Sequence, residues 1–170
     1  MSITAGLYGI TDASQTADPI AWGAALVEAG CPTLQLRAKA WSQADILLAA
    51  KALRVITRKF GATFIVNDHP EIAAEVEADG VHVGQDDLAI QAARNILGGA
   101  AIIGLSTHTI DQARAARGVD YIGFGPIFST STKENAGSPR GVEQLSHAVD
   151  AASVPVVAID LPSGVSGDLA

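Results

Sequence analysis

The chain holds a single cysteine, a single methionine, two tryptophans and two tyrosines in 170 residues. With only Cys31, no internal disulfide can form, so a reducing, cytoplasmic setting is expected. Cys31 sits between Gly30 and Pro32 and reads as a small packing residue. Positive charge is scarce: 11 Lys and Arg against 18 Asp and Glu leave a net charge of −7. That balance argues against a general nucleic-acid surface, though a local basic pocket for an anion remains compatible with it. No apolar run reaches the ~18 residues of a membrane span, and no basic segment followed by an apolar run opens the chain, so no membrane partner is expected. There is no G-x-G-x-x-G opening a helix and no Walker loop, which sets the nucleotide-binding folds aside.

What is present is a globular composition, 48% hydrophobic and 17% charged, enough for one domain with a real core. Short apolar runs alternate with helical patterns. Strands are expected at 7–10, 33–37, 62–66, 80–83, 101–104, 119–122 and 154–159. Asp18-Pro19 reads as an N-cap with proline at the first helical position. Ser42 and Asp45 resemble a capping box with Asp for Glu, opening a helix to Phe60 that stops at Gly61. His69-Pro70 opens the third helix, 88–97 is the fourth, Ser106 to Thr109 cap the fifth, and 142–152 is the last. Largely apolar strands alternating with helices mean a parallel sheet covered by helices.

Polar residues gather after the strands: Asp12, Arg37 with Lys39, Asn67 with Asp68, Gln85 to Asp87, Ser106, and Thr130 to Lys133. A TIM-type (β/α)8 barrel opens all such loops on one face, whereas an open doubly wound sheet joins only a few at its switch point. The barrel is therefore expected over 1–159, with about seven β/α units and so incomplete. Residues 160–170 form a divergent Gly, Ser and Pro tail.

The most informative stretch is Gly123 to Lys133. Two glycines, Gly123 and Gly125, would let the backbone approach a ligand, and Ser129, Thr130, Ser131, Thr132 and Lys133 bring four hydroxyls and an ammonium group. Hydroxyls, loop N–H groups and a lysine after a strand suit a phosphate oxyanion. Arg37 and Lys39 alternate at the end of the second strand, so one side would carry two cations, for a diphosphate or as a solvated rim pair. Asp68 and Asp87 follow consecutive strands. They are hard oxygen donors for Mg2+ or helix caps. His82 reads as a core histidine within an apolar strand. His108, in a helix-opening loop, reads equally as a base or a structural residue.

These segments together resemble the thiamine-phosphate synthases and the related thiazole tautomerases. The resemblance rests on Leu7 to Asp12, Gln35 to Lys39, Asn67-Asp68, Ala78 to Asp87, Gly104 to Thr109, and Tyr121 to Phe128 with Thr130 to Lys133. It implies a transferase that joins a pyrimidine diphosphate to a thiazole phosphate, giving thiamine phosphate and pyrophosphate, with Mg2+ as cofactor. It further implies that Gln35, Arg37, Lys39, Asn67, Ser106 and Lys133 hold the diphosphate-bearing substrate. Thr130 and Thr132 would hold the thiazole phosphate, and Asp68 and Asp87 the metal. Lys133, Arg37 and Ser106 are the expected catalytic groups. The alternatives are a non-catalytic phosphate-binding remnant and a tautomerase-like protein. The family follows its seventh strand with a Gly-Gly turn. Here Asp160-Leu161-Pro162 stands instead, and residues 156–168 resemble a glycine-rich loop of the NAD(P)H-hydrate epimerases, which implies a junction. Exposed edges of strands one and seven would favour a homo-oligomer.

Overall fold

The computed structural model describes residues 3–85, 90–129 and 138–159. Thirteen elements alternate within them: β1 (Tyr8–Asp12), α1 (Pro19–Glu28), β2 (Thr33–Arg37), α2 (Gln43–Phe60), β3 (Thr63–Asn67), α3 (Pro70–Glu75), β4 (Gly80–Val83), α4 (Ile90–Leu97), β5 (Ile102–Thr107), α5 (Ile110–Ala115), β6 (Tyr121–Phe124), α6 (Gly141–Ala151) and β7 (Val156–Ala158). The strands follow one another in the sheet in sequence order, from β1 to β7. Registers run in parallel from β1 through β4 and from β5 through β7. Sequential parallel strands joined by helices are the arrangement of a β/α barrel. Among the described residues, no helix is long and apolar enough to cross a membrane.

The described chain divides into two compact units, one of 3–83 and 90–103, the other of 84–85, 104–129 and 138–159. In the first unit the helices are started and stopped by local chemistry. The Asp18 carboxylate accepts from the N–H groups of Ile20 (3.1 Å) and Ala21 (2.9 Å), with Pro19 in the first turn. Ser42 Oγ accepts from the Asp45 N–H at 3.2 Å, while the Asp45 carboxylate accepts from the Ser42 hydroxyl at 2.6 Å. The shorter Asp thus closes the box on the hydroxyl. Gly61, at φ 71°, ends α2 in the left-handed conformation, which glycine adopts without a Cβ penalty.

Helix α1 lies close to its neighbours at Gly23. A Cβ there would meet Leu53 Cδ2 at 2.7 Å, Thr11 Cγ2 at 3.0 Å and Leu34 Cδ2 at 3.1 Å. Thr11 and Leu34 therefore face the helices. Because strand side chains alternate, Asp12, Gln35 and Arg37 face the other way. The registers Gln35↔Ile65 and Asn67↔His82 carry that second face across β3 and β4. Leu34, Leu36, Leu53, Phe64 and Val66 are fully buried in the first unit, and Tyr121, Ile122, Phe124 and Ile127 in the second.

The second unit departs from expectation in two places. β5 runs on to Thr107, so Ser106 and Thr107 are strand residues; Thr109 caps α5, its hydroxyl accepting from the Gln112 N–H at 3.1 Å. β6 starts at Tyr121 and takes in Gly123 and Phe124. The cause is the ladder: Ser106 pairs with Gly123 and Thr107 with Phe124, and the Thr107 hydroxyl donates to the Gly123 carbonyl at 3.0 Å. A polar hydroxyl run is read as a loop from composition, but here cross-strand bonds satisfy it.

Candidate active site

The first unit carries five of the expected site residues in or just past β2 and β3. Gln35 is buried, and its amide donates to the Tyr8 hydroxyl at 2.8 Å. Arg37 closes β2 opposite Asp12, the last residue of β1, and its guanidinium donates to the Asp12 carboxylate. Lys39 lies beyond the strand, and its ammonium reaches the end of β3, 3.1 Å from Asp68 Oδ2. The alternation expected to set Arg37 and Lys39 side by side thus stops at Arg37, where β2 ends. The two cations reach to carboxylates on opposite neighbouring strands.

Asp68 lies just past β3 at φ 63°, a left-handed conformation that Asp tolerates better than most residues and that often marks a functional turn. Its N–H donates to the His82 carbonyl at 2.9 Å. The neighbouring Asn67 amide donates to the Asp68 carboxylate at 2.6 Å. This carboxylate is thus oriented by an amide and a cation. His82 is buried on the same sheet face as Gln35, Arg37 and Asn67.

Asp12 is the group that sequence reasoning passed over, naming it only as a polar strand end. Its side chain is 14% exposed. Burial alone would push the carboxyl upward. Hydrogen bonds from the Ser14 hydroxyl (2.7 Å) and N–H (2.9 Å), with the Arg37 guanidinium beside it, outweigh that and hold it below the usual carboxylate range. The available signal was the pairing of opposite charges at the ends of two consecutive strands.

In the second unit, Ser106 is the fifth residue of β5, and its carbonyl accepts from the Gln85 amide at 2.8 Å. His108 follows the strand, with ring Nδ1 2.8 Å from the Gly125 carbonyl. A carbonyl only accepts, so Nδ1 carries the proton and a neutral ring keeps its lone pair on Nε2. Gly125 answers to packing: a Cβ there would lie 2.9 Å from both the Cβ and the carbonyl oxygen of Ile159. Asp87, Thr130, Thr132 and Lys133, like residues 160–170, lie outside the described residues.

Mg2+ typically takes one or two protein carboxylates and completes its shell with water and phosphate. Asp68 offers a hard, well-oriented donor of that kind. Among the described residues no group of three or more His, Cys, Asp or Glu side chains could hold a metal. A single carboxylate of this kind is compatible with an ion shared with a phosphate.

The model of the thiamine monophosphate synthase family matches residues 7–160. The chain belongs to that family. A thiamine-phosphate synthase of Pelotomaculum thermopropionicum is 46% identical over 161 residues, 92% of this chain and 74% of that protein. One of Moorella thermoacetica is 46% identical over 132 residues, 76% of this chain and 63% of its own length. The solved thiamine phosphate pyrophosphorylase of Pyrococcus furiosus superposes with a TM-score of 0.80 at 32% identity, covering 89% of this chain and 73% of that one. The chain thus spans 63% to 74% of the length of these family members. Their names do not favour a remnant or a tautomerase.

Proposed function

We propose that the chain is a thiamine-phosphate synthase. It would transfer the pyrimidine methylene group of a hydroxymethylpyrimidine diphosphate to the ring nitrogen of a thiazole phosphate, releasing pyrophosphate. The observation that carries this reading is the gathering of Arg37, Lys39, Asn67 and Asp68 at the ends of β2 and β3 in a chain of this family.

The chemistry asks little of covalent catalysis. As the methylene C–O bond breaks, its electron pair leaves with the pyrophosphate, and the positive charge left behind spreads into the pyrimidine ring. The thiazole nitrogen then supplies the pair for the new C–N bond. The leaving group gains negative charge, so preorganised cations along its path lower the barrier. Arg37 and Lys39 supply two, and Lys133 a third. Gln35, Asn67 and Ser106 orient the diphosphate substrate, and Thr130 with Thr132 hold the thiazole phosphate. Mg2+ on Asp68 and Asp87 would neutralise phosphate charge. Lys39 now pairs with Asp68 at 3.1 Å, and a divalent ion competing for that carboxylate would release its ammonium toward the phosphate. The substrates are small molecules, and the setting is the cytoplasm. Its one thiol fits that setting, buried and donating to the carbonyls of Leu7 (3.4 Å) and Thr33 (3.1 Å).

The deciding experiment incubates the chain with both substrates, with and without Mg2+, and measures thiamine phosphate. Metal-dependent product is expected. Its absence, with both substrates present and the protein folded, would overturn the reading.

A further inference from the structure

We propose that Asp12 is a positioning residue for Arg37, fixing the guanidinium plane so that its remaining donors meet the departing diphosphate. The inference rests on the reading above that Arg37 holds that group. Arginine presents its donors in a rigid planar fork, so pinning one terminal nitrogen sets the direction of the rest. Among the described residues, the hydrogen bond from Arg37 Nη1 to Asp12 Oδ2 is the only one the Arg37 side chain makes, which leaves Nε and Nη2 for phosphate oxygens.

Asp12 is itself immobilised. Its other carboxylate oxygen accepts from the Ser14 N–H and hydroxyl, and its carbonyl accepts from the N–H groups of Gln15 (2.9 Å) and Thr16 (3.2 Å). The Ala13 N–H donates to the Arg37 carbonyl at 2.9 Å, tying the same turn to the end of β2. Both side chains are largely buried, at 15% exposure for Arg37 and 14% for Asp12.

Charge and geometry make opposite demands here. A carboxylate beside an anion site repels the anion, so on charge alone Asp12→Asn would tighten diphosphate binding. If Asp12 aims Arg37, the same change weakens it. The probe is inorganic pyrophosphate with Mg2+, titrated calorimetrically into the full chain as wild type, Asp12→Asn, Asp12→Glu and Arg37→Met. Asp12→Glu keeps the charge but displaces the carboxylate by one methylene. Weakening on the order of tenfold is expected for both Asp12 variants, the scale seen when outer partners of a ligating group are removed. In turnover, the KM for the diphosphate should rise while the KM for the thiazole phosphate stays put, a split that general loss of fold would not produce. Unchanged or tighter pyrophosphate binding in Asp12→Asn, or in Asp12→Glu where the Asn variant does not fold, overturns the proposal while leaving the site reading intact. Unchanged binding in Arg37→Met would instead remove the reading on which it rests.

Discussion

At the scale of single residues, the same glycine can serve a ligand or the chain itself, and only neighbours decide which. Gly125 follows β6, and the strand-seven end closes over it. The Ile159 N–H donates to the Phe124 carbonyl and the Ile127 N–H to the Ile159 carbonyl, both at 3.0 Å. A methyl group at 125 would press on that backbone from 2.9 Å, and a backbone atom cannot swing aside as a side-chain end can. Gly125→Ala should therefore destabilise the protein by about 1–3 kcal/mol, the usual scale of overpacking. Thermal unfolding measures it, and an unchanged midpoint would show that β7 yields freely. His108 bonds the carbonyl of this glycine, so Nε2, not Nδ1, is the ring atom open to other chemistry.

At the scale of elements, the helices were the legible part of the chain. The Asp18-Pro19 and Ser42 starts and the Gly61 stop carry their own hydrogen-bond chemistry, and each stands where it was expected. Replacing Ser42 with alanine removes the acceptor for the Asp45 N–H and the donor to its carboxylate, and should cost about 1 kcal/mol. A chemical denaturation curve with an unmoved midpoint would show that water caps α2 as well. The strands were harder to delimit where hydroxyls end them. Ser106 and Thr107 look like cap residues in isolation, and only the pairing with Gly123 and Phe124, some 17 residues on, makes them strand. The same limit applied to the site. Arg37, Lys39 and Asp68 could be proposed from type and position at or just past the ends of apolar strands, and Gln35 and Asn67 from the family resemblance. Their partners could not. Whether Arg37 turns to Lys39 or to Asp12 depends on where β2 stops, and that is set by the register with β1.

At the scale of the whole molecule, binding and folding draw on one free energy. The chain is acidic, at −7, yet its diphosphate candidates Arg37 and Lys39 each have a carboxylate partner. On the proposed reading, the described part of the site is therefore close to neutral and would accept a polyanion best when a divalent cation accompanies it. Pyrophosphate with Mg2+ should bind the folded chain only, and at a hundredfold excess over Kd such linkage contributes about 2.7 kcal/mol. For a chain of this size each kcal/mol moves the midpoint by about 2–4 °C, so a rise of several degrees is expected. Pyrophosphate without the metal should give a smaller rise, and Mg2+ alone smaller still, because Asp68 must then leave Lys39 for an ion with no phosphate to share. Asp68→Ala should remove the metal-dependent part of the shift and keep the part due to Arg37. Scanning calorimetry of the two proteins under the three conditions separates these terms. An equal shift in both would show that the ion is held elsewhere, and no shift in either would mean that the ends of β2 and β3 do not bind the diphosphate at all.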